Sequence, residues 1–136
     1  MAGTVSTYVA FNGYTAQVLR HWHEVFGGEL EILTYRDVPT EGFPFEPPED
    51  AVAHGVLTLP GGLISGGDSL GEELPVRDTA YSLLYNAESV EGARELIAKL
   101  SAAGGTEGMP FEQAPWGGWY GQVFDRFGVM WSFSAE

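Results

Sequence analysis

The chain has 136 residues and no cysteine, a length at which about two-thirds of the unfolded surface can be buried in one domain without disulfide bonds. Nineteen acidic against six basic residues give a formal net charge of −13, which repels nucleic acid phosphates and anionic membranes and weakly favours cationic small molecules. There is no run of 18 apolar residues and no signal-peptide pattern at the amino terminus. We therefore expect a cytoplasmic protein with neither nucleic acid nor a membrane as its partner.

The first half of the chain predicts a strand, a helix and three further strands. Thr15 is a suitable N-cap for the helix and Gly27 a suitable end, and the apolar residues between them form one stripe. A Pro-rich acidic segment without periodicity predicts a loop or flap. In chain order the elements are a strand over 8–12, this helix, a strand over 29–36, the loop over 37–51 and two hairpin strands within 54–67.

Two of the three histidines, His21 and His23, stand on either side of Trp22. Residues two apart on a helix are rotated by about 200°, so these two side chains cannot bind one metal ion. The helical zinc motif places its histidines four residues apart with a glutamate between them. We therefore expect two polar residues at the edges of a buried face that Trp22 anchors.

The second half of the chain repeats the order of the first. A strand over 82–86 ends in an aromatic residue and Asn, as the first strand does. An amphipathic helix beginning near Ser89 follows it, and Gly104–Gly105 stands where Gly27–Gly28 stood. Residues 120–134 again predict two strands joined by a tight turn. The chain is thus interpreted as an internal duplication of a βαβββ unit.

One such unit has too few residues to bury both its sheet and its helix, so two units should share a core. The predicted fold is α+β, with the two units paired into an open cupped mixed sheet and the helices on the outside. The predicted organisation is a single domain over 1–136 that consists of a first unit over 1–67, a linker over 68–78 and a second unit over 79–136. The concave side of the sheet would hold a ligand.

Several segments carry a family resemblance that covers nearly the whole chain. They are YVAFNG from Tyr8, HWHEVFGGEL from His21, LISGGD from Leu63 and WYGQVFDRFGVMWSF from Trp119. Together they resemble the vicinal oxygen chelate superfamily, in its glyoxalase, bleomycin-resistance and dioxygenase group, with the PhnB-like branch the nearest. Asp125-Arg126-Phe127-Gly128 is similar to the family's Asp-Pro-Phe-Gly turn, with Arg126 in place of the usual proline. The resemblance implies paired βαβββ units, a homodimer, and either a divalent-metal enzyme or a metal-free binding protein.

The residues at the metal positions implied by the resemblance distinguish these two alternatives. Metal enzymes of the superfamily take ligands from the first and last strands of each unit, and those positions fall near Ser6, Ser65 or Gly66, Ala80, and Ser132. None of these residues offers an imidazole or a carboxylate, and serine hydroxyls are poor metal ligands. We therefore expect no metal site of the family type, no cofactor and no catalytic residue.

The remaining candidates are aromatic residues of the second half and the third histidine. Aromatic side chains beside carboxylates suit a flat or cationic organic molecule through stacking and cation–π attraction. A metal-free binding protein of the bleomycin-resistance type is therefore the favoured function. The alternative is an isomerase, lyase or dioxygenase-type enzyme that has an atypical divalent-metal site or uses acid–base chemistry without a metal, for which His54, Asp68 and Glu112 are candidates. The predicted ligand-binding residues are His54, Trp116, Trp119, Tyr120 and Trp131.

Overall fold

The computed structural model describes residues 3–44, 46–71, 75–77 and 79–136. The chain divides into two units, Met1–Leu74 and Pro75–Glu136, hereafter unit 1 and unit 2. No helix within these described ranges is both long and apolar enough to cross a membrane.

Unit 1 has the order β1 α1 β2 β3 β4. Strand β1 pairs with β4 in parallel, whereas β4 with β3 and β3 with β2 are antiparallel, which gives a four-stranded mixed sheet of order β1-β4-β3-β2. A short 3₁₀ turn follows β2 where the sequence predicted further strand. The bounds are β1 Thr7–Val9, α1 Thr15–Phe26, β2 Glu29–Thr34, the 3₁₀ turn Tyr35–Asp37, β3 Val52–Leu59 and β4 Gly62–Gly66.

Unit 2 repeats this arrangement. Strand β5 pairs with β8 in parallel, and β8 with β7 and β7 with β6 are antiparallel, in the order β5-β8-β7-β6. The α+β class and the duplicated βαβββ unit with an open mixed sheet are thus confirmed. The bounds are β5 Leu83–Asn86, α2 Val90–Ala102, β6 Thr106–Gln113, β7 Trp119–Phe124 and β8 Met130–Ala135.

Helix α1 packs closely on one face of the unit 1 sheet. Val18, Leu19 and Trp22 are fully buried, as the apolar stripe predicted. Two strand glycines allow this approach: a Cβ atom at Gly55 would lie 2.7 Å from the Leu19 side chain, and one at Gly66 would lie 3.1 Å from the Thr15 side chain. Because side chains alternate along strands, the residues between these positions lie on the opposite, open face. The open face of unit 1 carries Tyr8, Leu33, His54, Val56 and Ser65.

The unit 2 sheet has the same two faces. Trp131, Phe133 and Val123 are buried on the face that α2 covers, and Trp119 shares that face because it lies four residues before Val123 on β7. The alternate residues form the open face of unit 2, whose members are Leu84, Tyr120, Gln122, Ser132 and Ser134.

The segment between the two predicted repeats begins inside unit 1. The Asp68 N–H donates to Val52 O at 2.9 Å, and the Ser69 N–H donates to Phe11 O at 2.8 Å. The remainder of the predicted linker includes 72–74 and 78, which lie outside the described residues. The organisation of the whole chain as one domain stays a prediction.

The loop predicted over 37–51 contains no strand and no helix beyond Asp37 among the residues that the structure describes. Its base is closed by Arg36, whose guanidinium pairs with Asp50 at 2.7 Å and with Glu49 at 3.3 Å. The pKa of Asp37 is held below its usual value because the backbone N–H and the hydroxyl of Thr34 both donate to its carboxylate. Backbone hydrogen bonds from Tyr35 N to Ala51 O and from Arg36 N to Glu49 O, both of 3.0 Å, join the two ends of the loop.

Candidate ligand-binding site

The two helical histidines do not form a shared site. His21 is buried, with 3% of its surface exposed, whereas the half-buried His23 donates from Nε2 to Gly28 O at 3.0 Å. His21 therefore lies within the buried face and not at its edge, which corrects that detail of the prediction. Among the residues that the structure describes, no three His, Cys, Asp or Glu side chains are grouped so that they could hold a metal ion.

Asp68, a candidate acid or base in the sequence, is tied to the backbone at two places. Its Oδ1 accepts from Thr15 N at 3.0 Å, and its Oδ2 accepts from Val52 N at 2.9 Å. Thr15 is the first residue of α1 and not the N-cap that the sequence predicted. The Asp68 carboxylate thus supplies the cap from a distant part of the chain and joins α1 to the start of β3.

The positions that the family resemblance assigned to metal ligands carry serine hydroxyls or residues without a side-chain donor atom. Ser65 and Ser132 lie on the open faces of their sheets, while Gly66 faces α1. Ser6 and Ala80 come before the first residues of β1 and β5. In the parallel strand pairs, Ser65 lies opposite Tyr8 and Ser132 lies opposite Leu84. This set of side chains contains no imidazole or carboxylate, so it does not fit a divalent cation of the family type.

A cluster of neutral polar side chains occupies the centre of the open face of unit 2. Gln122 Nε2 donates to Tyr120 Oη at 3.0 Å, and Tyr120 Oη donates to Ser132 Oγ at 3.0 Å. The hydroxyls of Ser132 and Ser82 lie 2.8 Å apart. We call Gln122, Tyr120, Ser132 and Ser82 the hydroxyl cluster. The sequence did not single out Gln122 or Ser82, which are its two ends. Tyr120 and Gln122 are two residues apart on one predicted strand, which places both on one face, but the sequence does not show that Ser132 and Ser82 lie beside them.

Trp116 is the exposed neighbour of this cluster. It lies in the turn between β6 and β7, and 75% of its surface is exposed. Its ring centroid is 6.0 Å from that of Tyr120, with the planes inclined at 63°. The turn is closed by a 2.6 Å bond from Ala114 N to Gly118 O, and Gly117 adopts a φ of 108°. Of the predicted aromatic residues, Trp116 and Tyr120 are thus brought together.

The other two predicted tryptophans lie on the opposite side of the sheet. Trp131 is 2% exposed, and its indole N–H donates to the buried Asp125 carboxylate at 3.3 Å. Trp119 is half-buried, with the Arg94 guanidinium of α2 over its ring at 5.2 Å and the Phe111 ring at 5.7 Å. Both rings therefore contribute to packing beside α2, and the structure does not bring them to the open face.

The remaining candidates, His54 and Glu112, lie in different units. His54 is exposed on the open face of unit 1, opposite Leu33. Glu112 is exposed on β6, directly opposite Tyr120 in the β6–β7 pair. Residues opposite one another in an antiparallel pair are side-chain neighbours, so a carboxylate adjoins the aromatic pair in unit 2.

Two consecutive βαβββ units, each with one face under a helix and one open face, define the class of protein that the sequence motifs indicated. The chain belongs to the Glyoxalase/Bleomycin resistance protein/Dioxygenase superfamily, which matches residues 5–133. The predicted resemblance to this superfamily is confirmed, and a PhnB protein is among the solved structures of similar fold.

Individual relatives match almost the full length. Protein YjdN from Escherichia coli is 26% identical over 143 residues, which cover 96% of this chain and 94% of the relative. The crystal structure of protein PA1353 from Pseudomonas aeruginosa is similar with a TM-score of 0.81 and 28% identity, covering 99% of this chain and 98% of that one. The PhnB protein from Bacillus cereus has a TM-score of 0.74 at 23% identity, with coverages of 98% and 100%.

Proposed function

We propose that this protein binds a small organic molecule against the open face of unit 2, and that it does so without a metal ion of its own. The observation that carries the proposal is the contact between the exposed Trp116 and Tyr120, whose hydroxyl is bonded to Ser132. Ser132 is a position at which metal enzymes of the superfamily are expected to supply a ligand, and here it belongs to a neutral hydrogen-bonded cluster.

The charge around the aromatic pair supports an aromatic or cationic ligand. Glu112 adjoins Tyr120, and the chain as a whole has a net charge of −13. An exposed indole face attracts a flat ring by stacking and an organic cation through its quadrupole, each by about 0.5 to 2 kcal/mol. A carboxylate beside that face adds favourable electrostatics for a cation.

The donor set argues against the alternative of a metal-dependent isomerase, lyase or dioxygenase. Such an enzyme needs several imidazole or carboxylate donors that converge on one ion. Both oxygens of the Asp68 carboxylate accept backbone N–H groups, and the described residues contain no group of three His, Cys, Asp or Glu side chains that could hold a metal ion. Metal analysis of protein purified without chelators tests this part directly, because stoichiometric zinc, nickel, iron or manganese would contradict it.

Replacing Trp116 with alanine is expected to weaken binding of a cationic aromatic ligand about 10-fold, because the exposed ring supplies the stacking and cation–π contact. Ligands are first found by thermal shift across a library of aromatic and cationic compounds. A binder present at 100 times its Kd should add about 2.7 kcal/mol of stability. Titration of the wild type and Trp116→Ala with the best binder then gives the ratio of affinities.

Phe43→Ala is the matched control, because Phe43 is an aromatic residue of unit 1 that is 41% exposed. It should leave the affinity unchanged. No stabilisation by any compound in the library, or equal weakening by the two substitutions, would contradict the proposed site on unit 2.

A further inference from the structure

The hydrogen bonds of the hydroxyl cluster run in one direction. An amide N–H can only donate, so Tyr120 Oη accepts from Gln122 and directs its own proton to Ser132 Oγ. Ser132 is 3% exposed, and a buried hydroxyl proton without an acceptor is costly. Ser82 Oγ lies 2.8 Å from Ser132 Oγ, and in this pair either hydroxyl could donate. Because an unbonded proton on the buried Ser132 would be costly, we take Ser132 as the donor, so that the bonds run from Gln122 through Tyr120 and Ser132 to Ser82.

Ser82 is the end of this chain of bonds and the part nearest to solvent. It directly precedes β5, and its residue is exposed whereas Ser132 is buried. Its hydroxyl oxygen accepts from Ser132, so its own proton remains available for an acceptor outside the cluster. Hydrogen bonds in such a chain polarise one another, which makes the final O–H a stronger donor than an isolated serine.

We infer that the Ser82 hydroxyl is a ligand-binding donor, and that it donates to a carbonyl oxygen carried by the aromatic molecule that Trp116 and Tyr120 hold. This inference rests on the proposed function and names a second group of the ligand, the carbonyl oxygen, that the protein would recognise besides the aromatic ring. Ser82 Oγ is two hydrogen bonds, of 2.8 and 3.0 Å, from Tyr120 Oη. A ligand that lies against the Tyr120 ring can therefore also reach the Ser82 hydroxyl.

The cluster itself carries no charge, because all four of its members are neutral side chains. The Glu112 carboxylate lies opposite Tyr120 on β6, whereas Ser82 precedes β5 at the other edge of the sheet. The strand register places Ser82 at the end of the sheet that holds Phe124, whose ring centre is 4.2 Å from the Arg77 guanidinium. The Ser82 hydroxyl is therefore matched to a carbonyl oxygen by hydrogen bonding and not by charge.

The test uses two probes with one ring system: 4-chromanone, which has the carbonyl, and chroman, which lacks it. Dissociation constants are measured by NMR titration of the full chain. The wild type should bind 4-chromanone about 5-fold more tightly than chroman, the preference expected for one neutral hydrogen bond.

Two variants and one control test whether the hydroxyl cluster causes this preference for the ketone. In Ser82→Ala the ratio of the two affinities should fall to about one while the affinity for chroman is unchanged. Tyr120→Phe keeps the aromatic ring and Ser82 but interrupts the chain of bonds, so the ratio should fall there too. Ser134→Ala is the control, because Ser134 lies on the same open face and bonds to Asn86 at 2.7 Å outside the cluster.

Three results would overturn the inference: an unchanged preference in Ser82→Ala, no preference in the wild type, or binding of neither chroman nor 4-chromanone. Equal binding of the ketone and of chroman that is lost in Trp116→Ala would leave the proposed function standing while this inference fails. The broader ligand library decides the proposed function separately.

Discussion

Replacing Trp131 with alanine is expected to lower the free energy of unfolding by about 3 to 5 kcal/mol, the cost typical of removing a large buried aromatic side chain. The ring is 2% exposed, so its removal leaves a cavity under α2. It also removes the indole donor to the Asp125 carboxylate, which accepts from the backbone N–H groups of Phe127 and Val129 at 2.9 and 3.0 Å. Urea unfolding followed by circular dichroism measures the change.

Two comparisons make this result specific. Trp116→Ala removes an indole that is 75% exposed, and surface substitutions of this kind change stability by less than about 0.5 kcal/mol. Trp131→Phe keeps most of the apolar volume and should cost less than the alanine variant. If Trp131→Ala unfolded like the wild type but lost ligand binding, the residue would be a ligand contact, as the sequence predicted, and not part of the core.

Replacing Asp68 with alanine is expected to lower the free energy of unfolding by about 2 to 4 kcal/mol, because two hydrogen bonds to a charged group are lost together. One of the two N–H groups belongs to Thr15 at the start of α1 and the other to Val52 at the start of β3. Hydrogen exchange should show faster exchange of both amide protons. Urea unfolding gives the magnitude.

The control for Asp68 is Glu112→Ala, which removes the other candidate carboxylate from an exposed position. Its effect on stability should stay within about 0.5 kcal/mol. Asp68→Asn keeps one acceptor oxygen and should fall between the wild type and the alanine variant. A catalytic role for Asp68 would show itself differently, as an activity lost in Asp68→Asn with unfolding and amide exchange unchanged.

The order of elements and the duplication were predictable because they depend on neighbours along the chain. The apolar stripe of α1 and the paired glycines after it predicted the bounds of this helix to within a residue. The second helix was expected to begin near Ser89, and Ser89 is the N-cap of α2, where its hydroxyl accepts from Gly92 N at 2.9 Å. Strand ends were less well predicted. The strand expected over 29–36 ends at Thr34, because Asp37 and Thr34 close a capping box that turns the backbone.

The candidate site was predictable only in part. Trp116 and Tyr120 were identified from the density of aromatic residues, but the same density gave no reason to separate them from Trp119 and Trp131. The face that each ring occupies depends on the strand pairing, since one residue of register reverses every side chain of a strand. In β7, Tyr120 and Trp119 are consecutive and so point to opposite faces.

Sequence alone determined the α+β class, the two βαβββ units and the family, and it predicted that the metal positions implied by the resemblance carry no imidazole or carboxylate. Only the tertiary structure decided which groups meet, because those contacts join residues that are far apart in the chain. Ser82 and Ser132 are separated by 50 residues, and Asp68 and Thr15 by 53. Periodicity reports which side of its own helix or strand a residue occupies, whereas the partner on the adjoining element is fixed by strand register and helix packing.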